Sequence, residues 1–95
     1  MELLSRNIKY LRTAQNLSQQ VLAESLNLSR SNLAKYEKGI HDPGIEVLLR
    51  ISRYFRISID LILTVDLSKV DLDEVIDQKS MLLPMQVDAN GEDNN

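Results

Sequence analysis

Three residues, at positions 27–29, separate two short helical patterns, and this spacing constrains the fold more than any other feature of the sequence. The first pattern, at 18–26, repeats its apolar residues at helical spacing on one side. The second is LSRSNLAKYEKG at 28–39, where Ser29 is placed as the N-cap and Gly39 supplies the left-handed residue that often ends a helix. A connection this short forces the two helices to cross at a steep angle.

The second helix of this pair, at 29–38, has a polar and basic outer side. At 100° per residue, Leu33 and Tyr36 fall on one side, where they are expected to join the core. Ala23, in the preceding helix, is small enough to stand at the helix crossing. Two steeply crossed helices, the second polar outside, form a helix-turn-helix whose second helix fits the major groove of DNA.

Three further helices are predicted around this pair. Leu4, Ile8 and Leu11 indicate a first helix over about 3–15. The stretch 45–55 predicts a fourth, and Ser58 caps a short fifth. For the fourth helix we expect a broad buried stripe made of Ile45, Leu48, Leu49, Ile51, Ser52 and Phe55. The predicted fold class is therefore all-α, a compact five-helix domain over residues 1–64.

The net charge of −3 conceals two oppositely charged segments. Residues 1–63 hold nine Lys or Arg against six Asp or Glu, which leaves the helical part at +3. Residues 64–95 hold two against eight, which leaves the C-terminal part at −6. Overall acidity therefore does not argue against a nucleic-acid partner, because it belongs to the C-terminal extension.

Residues 65–95 are expected to form an acidic tail or linker. DLDEVIDQ is compatible with one or two helical turns, and SMLLPMQV resembles a strand interrupted by Pro84. The Asn90–Gly91 pair is a hairpin signal without a second strand after it. One interpretation is a truncated boundary that leads to a C-terminal effector or dimerisation domain; the other is a disordered acidic tail.

Composition narrows the function classes. The sequence has no cysteine, which excludes disulfides and thiolate metal sites and suits a cytoplasmic location. We expect no metal and no cofactor, because His41 is the only histidine and no Gly-rich phosphate loop is present. An enzyme is disfavoured for the same reasons. We also expect no signal peptide and no membrane span, because the apolar runs are too short.

Residues 4–63 resemble the Cro and phage-repressor type of helix-turn-helix family. The resemblance rests on LSQ at 17–19, LA at 22–23, LSRSNLAKYEKG, the DP turn at 42–43 and IS.DLIL at 57–63. It implies five helices, a homodimer on a palindromic operator in double-stranded DNA, and repression as the common outcome. Three residues depart from the pattern by standing where glycine is usual: Asn16, Asn27 and Arg56.

The resemblance also assigns roles to individual residues. It implies that Arg30, Ser31, Asn32 and Lys35 face base edges, with Asn32 nearer the flank. Gln19 and Lys38 match positions that contact the DNA backbone. Arg12 and Glu37 lie near the inner sides of their helices, and the family pattern implies that they pair as a structural tie between those helices. His41 is interpreted as an ordinary turn residue, with a phosphate contact as the alternative.

Two questions about partners stay open at this stage. The predicted dimer surface is the outer side of the fifth helix and the residues after it, with Ile57, Ile59, Leu63 and Val65 as candidates. The alternative to a DNA-binding regulator is an antitoxin-like or adaptor protein whose main role is to bind another protein. The operator sequence, the regulated genes and any effector are not encoded in a recognisable pattern.

Overall fold

The computed structural model describes residues 1–74 and contains five α-helices. They are α1 (Glu2–Ala14), α2 (Gln19–Ser25), α3 (Arg30–Lys38), α4 (Ile45–Phe55) and α5 (Ile59–Thr64), followed by a 3-10 turn at Leu67–Lys69. The all-α, five-helix prediction is therefore confirmed. The expected strand and hairpin signals at 80–91 lie outside the described residues.

Helix boundaries follow short-range signals in the sequence. The Ser18, Ser29 and Ser58 hydroxyls each accept a hydrogen bond from a backbone N–H in the first turn of α2, α3 and α5, at 3.1, 3.1 and 3.2 Å. α3 ends at Gly39 with φ 75°, and its N–H donates to Tyr36 O. A residue with a Cβ would be strained at this φ, so Gly39 sets the end of the helix.

The three residues that replace the usual glycines all adopt left-handed backbone conformations. Asn16 has φ 59° and Asn27 has φ 58°, which asparagine tolerates better than most residues. Arg56, at φ 61°, ends α4 in the same conformation although its side chain is long. The turns therefore keep the geometry of the family pattern without its glycines.

α1 is the central element of the packing. It contacts α3, α5 and the 3-10 turn, while α2 packs on α3 and α4 on α5. The core contains apolar residues from every α-helix: Leu4, Ile8, Leu11, Leu22, Ala23, Leu26, Leu33, Leu48, Ile51, Phe55, Ile57, Ile62 and Leu67. Leu67 is fully buried, so the packed unit continues beyond Thr64, where the composition changes.

Two sequence expectations about burial are wrong. Ile45 is 64% exposed and Leu49 is 37% exposed, so the buried stripe of α4 is narrower than predicted. Only Leu48, Ile51 and Phe55 of that helix are buried, because the neighbouring helices cover one part of its apolar face. Ile57, expected on a dimer surface, is instead buried in the core.

A buried asparagine joins α1 to the segment after α5. Asn7 Nδ2 donates to Ile62 O and Val65 O, both at 2.7 Å, and its Oδ1 accepts from Leu67 N at 3.0 Å. Asn7 is 1% exposed, so these bonds satisfy backbone groups that water cannot easily reach. The 3-10 turn is thereby fixed against α1.

Asp66 precedes the 3-10 turn, and its carboxylate accepts two hydrogen bonds from Ser68. Its Oδ1 accepts from Ser68 Oγ at 2.6 Å and from Ser68 N at 3.1 Å. The Ser68 hydroxyl holds the pKa of Asp66 below its ordinary value, with burial opposing the effect. This stabilisation is present above the unfolded-state pKa and is lost as the pH falls through the lower folded-state pKa.

We expect Asn7→Ala to lower the free energy of unfolding by about 2 kcal/mol or more. The substitution leaves Leu67 N and two carbonyl groups without their partner, and each buried unsatisfied group costs about 1–3 kcal/mol. Urea denaturation measures the loss. Asn32→Ala, at an exposed position of α3, is the matched control and should change stability by less than about 0.5 kcal/mol. Equal urea midpoints of unfolding for Asn7→Ala and Asn32→Ala would contradict the assigned role of Asn7.

Candidate nucleic-acid interface

The turn between α2 and α3 has the geometry expected of a steep helix crossing. Leu28 N donates to Ala23 O at 2.8 Å, which folds the chain back onto the end of α2. Ala23 is fully buried, so α2 has a small residue at the point where the chain turns back. The short connection and its backbone bond fix the orientation of α3 relative to α2.

α3 has a buried side and an exposed side with different chemistry. Leu33 and Glu37 are buried, and Tyr36 is partly buried against the core. Exposed positions carry hydrogen-bonding or cationic groups: Arg30, Ser31, Asn32, Lys35 and Lys38. We call these five residues the outer face of α3. The structure thus exposes all the residues that the sequence assigned to base edges, together with Lys38.

The charge of the outer face is entirely positive. It contains three cations, and the only carboxylate in α3, that of Glu37, is 3% exposed on the opposite side. Burying that carboxylate against Arg12 keeps its negative charge away from the outer face. The face therefore combines positive potential with side chains that donate hydrogen bonds, as a polyanionic ligand requires.

The Glu37 carboxylate forms an ion pair with Arg12 of α1. Arg12 Nε lies 2.6 Å from Glu37 Oε2, and Arg12 Nη2 lies 3.1 Å from Oε1. Arg12 Nη1 also donates to Leu17 O at 2.8 Å, which joins the α1–α2 connection to the pair. The ion pair is bidentate and largely buried, and it fixes the angle between α1 and α3.

Gln19 has a contact that the sequence reasoning missed. Its Nε2 donates to Glu37 Oε1 at 3.1 Å, so the side chain joins the ion pair across the crossing of α2 and α3. Nothing in the spacing of residues 19 and 37 signals this contact, because it depends on how the two helices cross. Gln19 is partly exposed at the start of α2.

A polar depression lies beside the outer face. Its lining comes from the end of α1, the start of α2 and the start of α3: Arg12, Ser18, Gln19, Gln20 and Arg30. The Arg30 guanidinium and the side-chain amides of Gln19 and Gln20 line this opening, a set suited to an oxyanion such as a phosphate, whereas the charge of Arg12 is already paired with Glu37. The depression continues the positive surface from α3 towards α2.

A metal site is not indicated in residues 1–74. His41 lies exposed in the turn after α3. No cluster of three or more His, Asp or Glu side chains in this part of the chain is arranged to hold a metal ion. None of the helices in the described range has the length and apolar character needed to cross a membrane.

The fold and its exposed helix place this chain in a defined class. The helix-turn-helix family model matches residues 8–62, which is more than half of the sequence, and the chain belongs to this family. The match covers the α2–α3 pair and most of the surrounding bundle. The family resemblance seen in the sequence is confirmed.

The similar curated proteins are named as transcriptional regulators. The chain is 30% identical to the SPbeta prophage-derived uncharacterized HTH-type transcriptional regulator YonR of Bacillus subtilis over 81 residues, which is 85% of this chain and 75% of YonR. It is 40% identical to the HTH-type transcriptional activator BcrR of Enterococcus faecalis over 60 residues, 63% of this chain and 29% of BcrR. It is 33% identical to the HTH-type transcriptional regulator ImmR of Bacillus subtilis over 63 residues, 66% of this chain and 50% of ImmR.

These similarities differ in how much of each relative they cover. The chain spans half of ImmR and less than a third of BcrR, so both relatives contain regions that this alignment does not reach. No solved structure matches the chain significantly. The comparisons therefore define the family through the helical domain.

Proposed function

We propose that this protein is a cytoplasmic, sequence-specific regulator of transcription that binds double-stranded DNA with α3 in the major groove. The observation that carries the proposal is the outer face of α3, which presents Arg30, Lys35 and Lys38 while its one carboxylate is buried. An α-helix fits the width of the major groove, and the face carries groups that read base edges. The regulator names of the similar proteins agree with this function.

Base reading is assigned to four residues of the outer face. Arg30 and Lys35 can donate to O6 and N7 of guanine, while Ser31 and Asn32 can pair with several base edges. All four are exposed, and each is presented by a helix whose packing is fixed through Leu33 and Glu37. A rigid helix holds these donors in place before DNA binds.

Backbone contacts are assigned to Lys38 and Gln19. A side-chain amide has two N–H donors, and Glu37 uses one of those of Gln19. The other can donate to a phosphate oxygen in the polar depression beside α3, where Arg30 is also present. The bond to Glu37 orients the Gln19 amide and is compatible with a phosphate contact.

Selection of binding sites from random duplexes is the experiment that tests the proposal. A recovered consensus, bound by the full chain more tightly than random DNA, is the expected result. Binding of all duplexes with equal affinity would exclude sequence-specific recognition. Absence of binding even at low salt would instead favour a protein-binding adaptor, because a basic helical face should retain some affinity for any polyanion.

Lys35→Ala and Lys38→Ala should weaken DNA binding in different ways. Lys35→Ala should cost about 1–3 kcal/mol on the selected operator and much less on random DNA, because only the specific complex contains a base contact. Lys38→Ala should weaken all duplexes alike and reduce the slope of log affinity against log salt by about one per subunit. Fluorescence anisotropy at several salt concentrations measures both effects.

An equal loss on operator and random DNA for Lys35→Ala, at unchanged thermal stability, would reassign Lys35 to the backbone. Specificity would then have to reside in Arg30, Ser31 and Asn32. Lys9→Ala is the control, because it likewise removes a cation, from an exposed position of α1 outside both the outer face and the polar depression.

A homodimer on a palindromic operator is part of the proposal. A single recognition helix reads only a few base pairs, and two-fold pairing sets half-sites about 34 Å apart. Ile59, Leu63 and Val65 are partly buried around α5 and remain candidates for the dimer surface. Sedimentation equilibrium should find two chains on a palindromic duplex; one chain per duplex at saturation would contradict the prediction.

Repression is the proposed regulatory outcome, on the basis of the phage-repressor resemblance. BcrR is named an activator, so both outcomes occur among the similar proteins. Transcription in vitro from a promoter that contains the selected operator should fall as the protein is added. An increase would assign activation to the same DNA-binding function.

A further inference from the structure

An apolar groove lies on α4 and the start of α5, and none of its lining residues is assigned to DNA. It is lined by Leu49, Ser52, Arg53, Arg56, Ile57, Ser58 and Ile59. Leu49 is 37% exposed, and Ile45, one helical turn earlier on α4, is 64% exposed. The sequence pattern gives α4 more apolar surface than the core of residues 1–74 covers. Connected apolar surface of this kind marks a place where another segment binds.

The chemistry of the rim indicates what kind of segment fits. Arg53 is exposed beside Leu49, and Arg56 lines the same groove. An apolar floor with cationic side chains at its edge matches an apolar segment that adjoins an acidic residue. A second copy docking the same surface would bring two cationic rims into one interface, which is unfavourable.

A segment with this composition exists in the chain itself. Residues 81–87 are MLLPMQV; Asp88 follows them directly, whereas the preceding stretch DQKS contains both Asp77 and Lys79. Methionine and leucine side chains adapt well to a shallow apolar groove. The segment and the groove are therefore complementary in hydrophobicity, and the carboxylate of Asp88 complements the cationic rim.

The chain beyond Glu74 is long enough to extend over much of the domain surface. Leu82 is eight Cα–Cα steps beyond Glu74, and an extended chain of that length spans up to about 27 Å. A compact domain of 74 residues is about 30 Å across, from the usual scaling of radius with length. We propose that residues 81–87 dock intramolecularly against Leu49 in the groove on α4, with the carboxylate of Asp88 facing Arg53.

Paramagnetic relaxation in the full chain tests this proposal. Because the sequence has no cysteine, Ser80→Cys provides a single attachment site for a nitroxide next to the segment. The amide signals of Leu49, Arg53 and Ile59 should broaden, while those of the outer face of α3 should not. Absence of broadening in the groove, or broadening on α3 instead, would overturn the proposal.

Two variants separate docking from general proximity. Leu82→Ser combined with Leu83→Ser removes the apolar centre of the segment and should abolish the broadening without touching the groove. Leu49→Asp places a charge in the apolar groove and should also abolish the broadening. Val21→Asp is its matched control, because Val21 is an exposed apolar residue of α2, and the broadening should persist. Loss of the broadening in Val21→Asp, or persistence of the broadening in the Leu82→Ser, Leu83→Ser variant, would overturn the proposal.

A mixed sample distinguishes binding within one molecule from binding between molecules. Isotope-labelled chain without nitroxide is combined with unlabelled chain that carries it. We expect the groove signals to stay sharp in the mixture. In the sample whose chains carry both the isotope label and the nitroxide, they should broaden. Broadening in the mixture would show exchange of the segment between copies and would overturn intramolecular docking. If the chemical shifts of the groove amides changed with protein concentration and no broadening occurred, the occupant would instead be a second copy of the chain.

Discussion

Glu37→Ala is expected to lower the free energy of unfolding by about 3 kcal/mol. Removing one partner of a buried ion pair costs about 3–5 kcal/mol, because the other charge stays buried without compensation. Here Arg12 keeps its bond to Leu17 O and some contact with water, which favours the lower end of the range. Gln19 Nε2 also loses its acceptor. For a domain of this size the melting temperature should fall by about 4–8 °C per kcal/mol.

Glu46→Ala is the matched control for Glu37→Ala. The Glu46 carboxylate is 84% exposed and lies 3.9 Å from Arg50, so its removal should change stability by less than about 0.5 kcal/mol. A double-mutant cycle with Arg12→Ala should give a coupling energy of at least about 1 kcal/mol. An unchanged melting temperature for Glu37→Ala would mean that the pair does not tie α1 to α3 in solution.

Leu33→Ala is expected to destabilise the fold by about 2–5 kcal/mol. Leu33 is fully buried, so its truncation removes apolar contacts and leaves a cavity where α3 meets the core. Alanine has good helix propensity, so the loss reflects tertiary packing. Denaturant unfolding measures the change, and DNA affinity should fall as α3 loses its fixed position.

Val21→Ala provides the comparison for Leu33→Ala. Val21 is 47% exposed on α2, so its truncation should cost less than about 0.5 kcal/mol. A loss below about 1 kcal/mol for Leu33→Ala would indicate that α3 is held chiefly by its polar contacts. The ion pair would then dominate the position of the outer face.

The ends of the helices were predictable from the sequence, because they depend on contacts within a few residues. The hydroxyls of Ser18, Ser29 and Ser58 cap helices where the pattern placed them. Asn16 and Asn27 adopt the left-handed conformation expected of turn asparagines. Such signals involve only neighbouring backbone groups, so no knowledge of the tertiary fold is needed to interpret them.

Burial was less predictable, because it depends on which surface covers each side chain. The apolar spacing of α4 cannot show that Leu48 is buried and Ile45 exposed. Asn7 gave no sequence signal, although its amide joins α1 to residues 62–67. Its partners are more than fifty positions away along the chain, beyond the reach of periodicity or capping rules.

The candidate interface depends both on features set by the local sequence and on features set by tertiary packing. By itself the sequence determined the five helices, the short turn and the cationic composition of α3, because these follow from local spacing and side-chain chemistry. Only the tertiary structure decided that Glu37 lies buried between Arg12 and Gln19 and that the α4 groove stays uncovered by residues 1–74. Those outcomes depend on the angles between helices, which arise when side chains from distant parts of the chain pack together.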